Sequence, residues 1–251
     1  MIGALVRKEY EQNKKVLSLA LIFVLLVTAT MPYFFQFALK HAFTLADDAT
    51  SQGILRNFRS YAVFLETPWL ARNLSWLLFL LAVLAGAGAI AGERESRTLP
   101  LLYQSSLPLR DVVLVKFAVI AAFLLLVTFA SDLVLAIHSF FGHLPFPLLE
   151  VTLASLVAWT NALAFLGVVF IASAFAPRTA YAGLAAFAMG FAIFGALALL
   201  KVNVSELAAN LFAVDGAIIW RNAFSDLCVG AAIACFAMLF TLREVDRRRA
   251  T

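Results

Sequence analysis

Two carboxylates and an amide stand in this sequence where polar groups are costly. Asp132, beside Ser131, lies in the outer part of the apolar run 112–137, Asn161 is mid-way along 148–176, and Asp226 is near the outer end of 223–242. An ionised carboxylate at a bilayer centre costs roughly 2.5 to 3.5 kcal/mol on insertion scales, so such a group either lines a polar route or is tied to a neighbouring helix. Asp132 and Asn161 are therefore the candidates for a polar translocation path. The competing readings are a helix–helix hydrogen bond or an ion pair with Arg221 or another outer basic residue for Asp132, and interhelical hydrogen bonding for Asn161. Asp226 is close enough to the interface to be solvated.

Other chemistry is poorly supplied. His41, His138 and His143 show no metal-ligand spacing with Cys, Asp or Glu, so no metal site is expected. Cys228 and Cys235, seven apart in one apolar run, share a helical face but lie too far apart along the axis to bond, and read as small packing residues. No G-x-S-x-G or H-E-x-x-H motif occurs, and without a Gly-Lys pair there is no phosphate-cradling loop. The chain is not expected to be an enzyme or to hydrolyse ATP itself.

The elements that must position these residues follow from composition. Of 251 residues, 63% are hydrophobic and 14% charged, with a mean hydropathy of +0.94. A soluble domain is about half apolar and a quarter charged, so the solvent of this chain is lipid. Spanning a hydrocarbon core of about 30 Å takes roughly 20 apolar residues as a helix. The runs 16–39, 74–91, 112–137, 148–176, 179–200 and 223–242 meet that demand, the first with a bend expected at Pro32. The fold class expected is an all-α membrane protein of six spans, in a single domain covering 1–251.

Net charge +4 and a pI near 9.3 suggest a nucleic-acid partner until the basic residues are placed, because they cluster at the ends of apolar runs. With the N-terminus inside, 13 of the 19 Lys and Arg fall on the cytoplasmic side: Arg7, Lys8, Lys14, Lys15, Arg94, Arg97, Arg110, Lys116, Arg178, Arg243, Arg247, Arg248 and Arg249. The positive-inside rule selects this topology, and six spans return the C-terminus to the same side. The start is too polar for a secretory leader and the run after it too long, so no cleavage is expected. The outer segment 202–222 mixes Leu207, Leu211, Phe212 and Trp220 with Glu206, Asn210 and Asp215, which suits a re-entrant helical segment before the last span.

Two cytoplasmic segments carry the functional reading. Near the N-terminus, Ile2, Leu5, Val6 and Tyr10 recur at helical spacing opposite Arg7, Lys8, Glu11 and Lys15, as in an amphipathic helix on the membrane surface. The inner loop 92–116, GERESRTLPLLYQSSLPLRDVVLVK, combines the densest charge in the chain with repeated leucines, more than a chain reversal needs. It reads as a docking element.

These residues resemble the type-2 permeases of ABC transporters, whose usual form is E-x-E-x-G-T-L-E-x-L-L, then P-x-x-R, then G-K. Glu93, Glu95, Thr98, Leu99, Leu102, Pro108, Arg110 and Lys116 match, whereas Arg97 replaces the usual Gly, Pro100 the usual Glu, and Val115 the Gly before the Lys. The resemblance implies a membrane subunit paired with a second permease subunit, identical or not, and driven by a separate P-loop ATPase that binds the ATP and Mg. It implies that Arg7, Lys8, Glu9, Glu93, Glu95, Thr98 and Arg110 form the surface facing that ATPase, in a bacterial inner membrane and with transport directed outward. A haem-export type of ABC membrane subunit and an ATP-independent carrier are the alternatives.

Overall fold

Apolar runs of this length become helices because a chain in hydrocarbon must pair its backbone N–H and C=O groups internally. In the computed structural model, residues 2–42, 61–65, 69, 73–98, 108–199 and 216–250 are described, and the regular structure among them is helical. The helices are α1 (Ile2–Ala42), α2 (Tyr61–Phe64), α3 (Ser75–Gly86), α4 (Gly88–Glu95), α5 (Leu109–Gly142), α6 (Leu148–Phe175), α7 (Thr179–Leu199) and α8 (Gly216–Ala250).

Five stretches are long and apolar enough to cross a membrane: Lys14–Phe37, Ser75–Glu95, Leu109–Gly142, Leu148–Phe175 and Asp226–Arg247. The expected span 179–200 is helical as α7 over 21 residues, Thr179–Leu199, of which Thr179–Ala192 stands as a shorter apolar helix beside those five. Five spans thus stand on described residues where six were expected. Helix α8 begins at Gly216, so 216–222 continues into the last span instead of closing a re-entrant segment. The rest of that expected segment, 202–215, lies outside the described residues, as do 43–60 of the outer loop and 99–107 of the inner loop.

The N-terminus departs from expectation. Helix α1 runs for 41 residues without interruption, about 60 Å at 1.5 Å per residue and twice the hydrocarbon thickness. No Gly or Pro stands between Gly3 and Pro32 to stop the ladder, so the amphipathic segment is the N-terminal extension of the first span, not a separate element.

Helix α6 is the centre of the bundle and packs against α8, α3, α7 and α5, while α1 packs against α5. Its small residues set the spacing. A Cβ at Gly167 would lie 2.6 Å from the Ala237 Cβ, so α6 and α8 approach to a distance that only glycine permits there. Small residues of α3 and α7 likewise pack within the chain: Gly86 faces Leu166 and Val169, and Gly183 faces Val83 and Ala87.

Candidate functional site

Near Glu93 the helix of the second span is interrupted. Helix α3 stops at Gly86 and α4 starts at Gly88, and the hydroxyl of Ser173 on α6 sits in the gap. It donates to Ala87 O at 2.8 Å and accepts from the N–H groups of Ile90 and Ala91 at 3.0 and 2.9 Å. A side chain inserted into the i to i−4 ladder is a recognised cause of a helix discontinuity. Here it satisfies three backbone groups that the break would leave bare in a buried position.

Helix α4 ends in a Schellman motif. Thr98 N–H donates to Glu93 O at 2.9 Å and Arg97 N–H to Arg94 O at 3.2 Å, with Arg97 left-handed at φ 58°. That position favours glycine, the residue usual there in the permeases this loop resembles, because a Cβ is crowded at positive φ. The turn holds Glu93 inward. Its carboxylate accepts from the Thr98 hydroxyl through Oε2 and from Lys116 Nζ of α5 through Oε1, at 2.8 Å.

Lys116 Nζ also lies 3.2 Å from Oε2 of Glu9, three elements meeting on one ammonium. Glu9, Glu93 and Lys116 are only 2%, 8% and 7% exposed, so this is an interior ion cluster that ties the N-terminal part of α1 to α4 and α5. Lys8, exposed beside it, adds a favourable charge interaction with Glu93. Breaking one partner from a buried pair is far costlier than the pair's net contribution, which makes such a cluster a rigid joint.

The neighbouring charges of the same loop join further helices. Arg94 donates to Ala174 O at 3.0 Å and to Ala176 O, at the carbonyl end of α6, while Glu95 accepts the Thr179 N–H at 3.1 Å, at the first turn of α7. A cation at a helix C-terminus and an anion at an N-terminus each match the helix dipole. Arg110, at the start of α5, pairs with Asp246 near the end of α8.

The residues singled out from sequence thus separate into groups. Arg7, Lys8, Glu95 and Arg110 are exposed, whereas Glu9 and Glu93 are interior and Thr98 is half-buried against Glu93. Further along α5, Asp132 is buried and accepts from Ser155 Oγ on α6 at 2.8 Å, the helix–helix hydrogen bond that is one of its readings. Its other oxygen, Oδ2, is buried with no hydrogen-bond partner among the described residues. Asn161 is half-buried six residues beyond Ser155 on α6, so the two candidate path residues are not brought into one cluster. Cys228 and Cys235 both face outward and do not pack.

Sequence reading did not place Lys116, Arg94, Ser173 or Asp246 in the site. Lys116 was visible as a motif match. Ser173 carries no signal, because a serine inside a helix is ordinary until its neighbour's broken ladder is seen.

The geometry joins Glu93, Arg94, Glu95 and Lys116, at the two ends of the segment that carries the motif, to the adjoining ends of the surrounding helices, and a profile of ABC-2 family transporter proteins matches residues 4–215. The chain belongs to the ABC-2 transporter family. Among curated proteins none matches it. The family match spans the positions of Glu9, Glu93, Lys116 and Ser173 and ends just before α8, so Asp246 lies beyond it. As an ABC-2 family protein with five apolar helices of spanning length, the chain is a multi-pass membrane protein and a transport component, of the kind that works with ATPase subunits.

Proposed function

We propose that this ABC-2 protein is the permease subunit of an ABC exporter, in which a separate P-loop ATPase bears on the inner surface and a second permease subunit completes the path. The observation that carries the reading is the Glu9–Lys116–Glu93 cluster. It links the N-terminal part of α1, the end of α4 and the base of α5 by two ion pairs, through which they can move as one body. A push on the exposed face formed by Arg7, Lys8, Glu95 and Arg110 would pass through that joint, and through Arg94 and Ser173, into α6 and α7. Exposed charges suit a soluble partner because they pair at little desolvation cost. Glu9, Glu93 and Thr98 then belong to transmission and not to the docking face itself. Outward direction and the inner membrane of a bacterium complete the proposal, on the strength of the loop's resemblance to exporter permeases.

The test is affinity purification of the tagged chain in mild detergent, with identification of what co-purifies and an assay of vanadate-sensitive ATP turnover. Recovery of a P-loop ATPase with turnover is expected. The double variant Arg7→Glu with Lys8→Glu should lose capture of that subunit while the chain stays folded. Unchanged capture would remove these two residues from the docking face. Recovery of the chain alone in several detergents would overturn the reading in favour of an ATP-independent carrier, and Asp132 would become the residue to mutate.

A further inference from the structure

Beside the ion cluster lies a pocket of about 280 Å³ between α1, the second span and α5. Its polar end is formed by Glu9, Glu93, Ser96 and Lys116, and its other end by apolar side chains, among them Leu84, Val119 and Ile120. From Leu84 to Ser96 the wall spans about 18 Å of helix at 1.5 Å per residue. Leu84 is 59% exposed on the protein surface, where the surrounding solvent is hydrocarbon, and Ser96 is exposed just past the inner end of the span Ser75–Glu95. The pocket therefore runs from acyl-chain depth to headgroup depth along one groove.

Its volume is several times that of a water, about 30 Å³ in the liquid, and much too large for a bare metal ion. Of the groups that line the pocket, two carboxylates and one ammonium carry a formal charge of −1 between them, each more than nine-tenths buried, while Lys8, exposed outside the lining, also acts on Glu93. An anionic headgroup is disfavoured by that sign. A primary ammonium supplies three donors and can bridge carboxylates that already share one lysine, while a quaternary ammonium has no donor at all.

We propose that this pocket binds an ethanolamine phospholipid, its ammonium on the Glu9 and Glu93 carboxylates and an acyl chain along Leu84, Val119 and Ile120. The lipid wedges between α1 and the second span at the joint itself, so its occupancy stiffens the Glu9–Lys116–Glu93 connection. The site stands on the pocket and its charges and does not depend on the ATPase partnership.

The test uses the full chain in detergent. Phosphatidylethanolamine, phosphatidylcholine and phosphatidylglycerol with identical acyl chains are offered in equal amounts, and native mass spectrometry reads which lipid stays bound. Roughly tenfold enrichment of the ethanolamine lipid over each of the others is expected, the size of one charge-assisted hydrogen-bonding contact. Equal retention of the three overturns the proposal, as does preference for the glycerol lipid. Glu9→Gln should abolish the preference. Thermal unfolding of the wild-type chain provides a readout independent of that variant's folding, with the ethanolamine lipid raising the midpoint more than the choline lipid. Soluble phosphoethanolamine is the arm that separates sources. If it displaces the lipid at comparable concentration, the ligand is a free amine and the lipid assignment falls; if it does not, the acyl chain contributes as proposed.

Discussion

Replacing Lys116 by Met keeps an unbranched stem and removes only the cation, which makes the ion cluster testable as an energetic object. In the native protein Nζ lies 2.8 Å from a Glu93 oxygen and 3.2 Å from a Glu9 oxygen. Without it two carboxylates face each other in a site less than a tenth exposed. Removing one partner from a buried ionic group costs about 3–5 kcal/mol, because the remaining charge is uncompensated. The glutamine variants behave differently. Glu9→Gln or Glu93→Gln takes the formal charge of the cluster from −1 to zero and leaves Lys116 with one carboxylate, so each should cost about 1.5–3 kcal/mol, the scale of a charged hydrogen bond. The variant carrying Glu9→Gln, Glu93→Gln and Lys116→Met together has no charge left and should recover to within about 2 kcal/mol of the native protein. Reversible unfolding in mixed micelles of rising denaturing-detergent fraction, followed by tryptophan fluorescence, gives the four values. A Lys116→Met protein no less stable than the glutamine variants, or a triple variant no better than Lys116→Met, would refute a buried, paired cluster.

Three further expectations concern the backbone around that cluster and the packing behind it. Arg97→Gly should stabilise the protein by about 1 kcal/mol in the same assay, since Arg97 stands at φ 58°, where a Cβ is penalised. A stability loss would mean that the Arg97 side chain contributes more than the strain it carries. Ser173→Ala removes one acceptor and one donor shared by three backbone groups and should cost about 2–3 kcal/mol. Hydrogen exchange localises the effect, with the amides of Ile90 and Ala91 exchanging faster and those of α8 unchanged. Gly167→Ala should destabilise by about 1–3 kcal/mol, because the added Cβ would lie 2.6 Å from that of Ala237. Adding Ala237→Gly should restore most of that loss, and no rescue would mean that this close approach is not what glycine provides.

Much of the architecture was legible because lipid leaves the chain so few options. Run length alone marks the helices from Lys14, Ser75, Leu109 and Leu148, since a helix is the only way for an isolated apolar segment to satisfy its backbone. The loop motif was equally plain, because Glu93, Thr98 and Lys116 are specified by type and spacing. What amphipathicity could not tell is whether the residues around Leu5 and Tyr10 lie flat on the membrane or prolong the first span. The same pattern serves both, and only the unbroken α1 ladder decides it.

The site itself divides along the same line. From sequence, Glu9 and Glu93 are charges at a cytoplasmic surface, and solvent is where such charges ordinarily belong. Nothing local shows that helices 84 and 107 residues apart in the chain bring them onto one lysine, because that depends on the rotation and depth of α1, α4 and α5 against each other. Ser173 is the extreme case, since its role exists only through a gap in another helix. Sequence determined that this is a helical membrane protein of the permease type, through segment length, charge asymmetry and one loop motif, all of which are local. The tertiary structure alone decided which charges are surface and which are joint, because burial of an ionic group is a property of the helices packed around it.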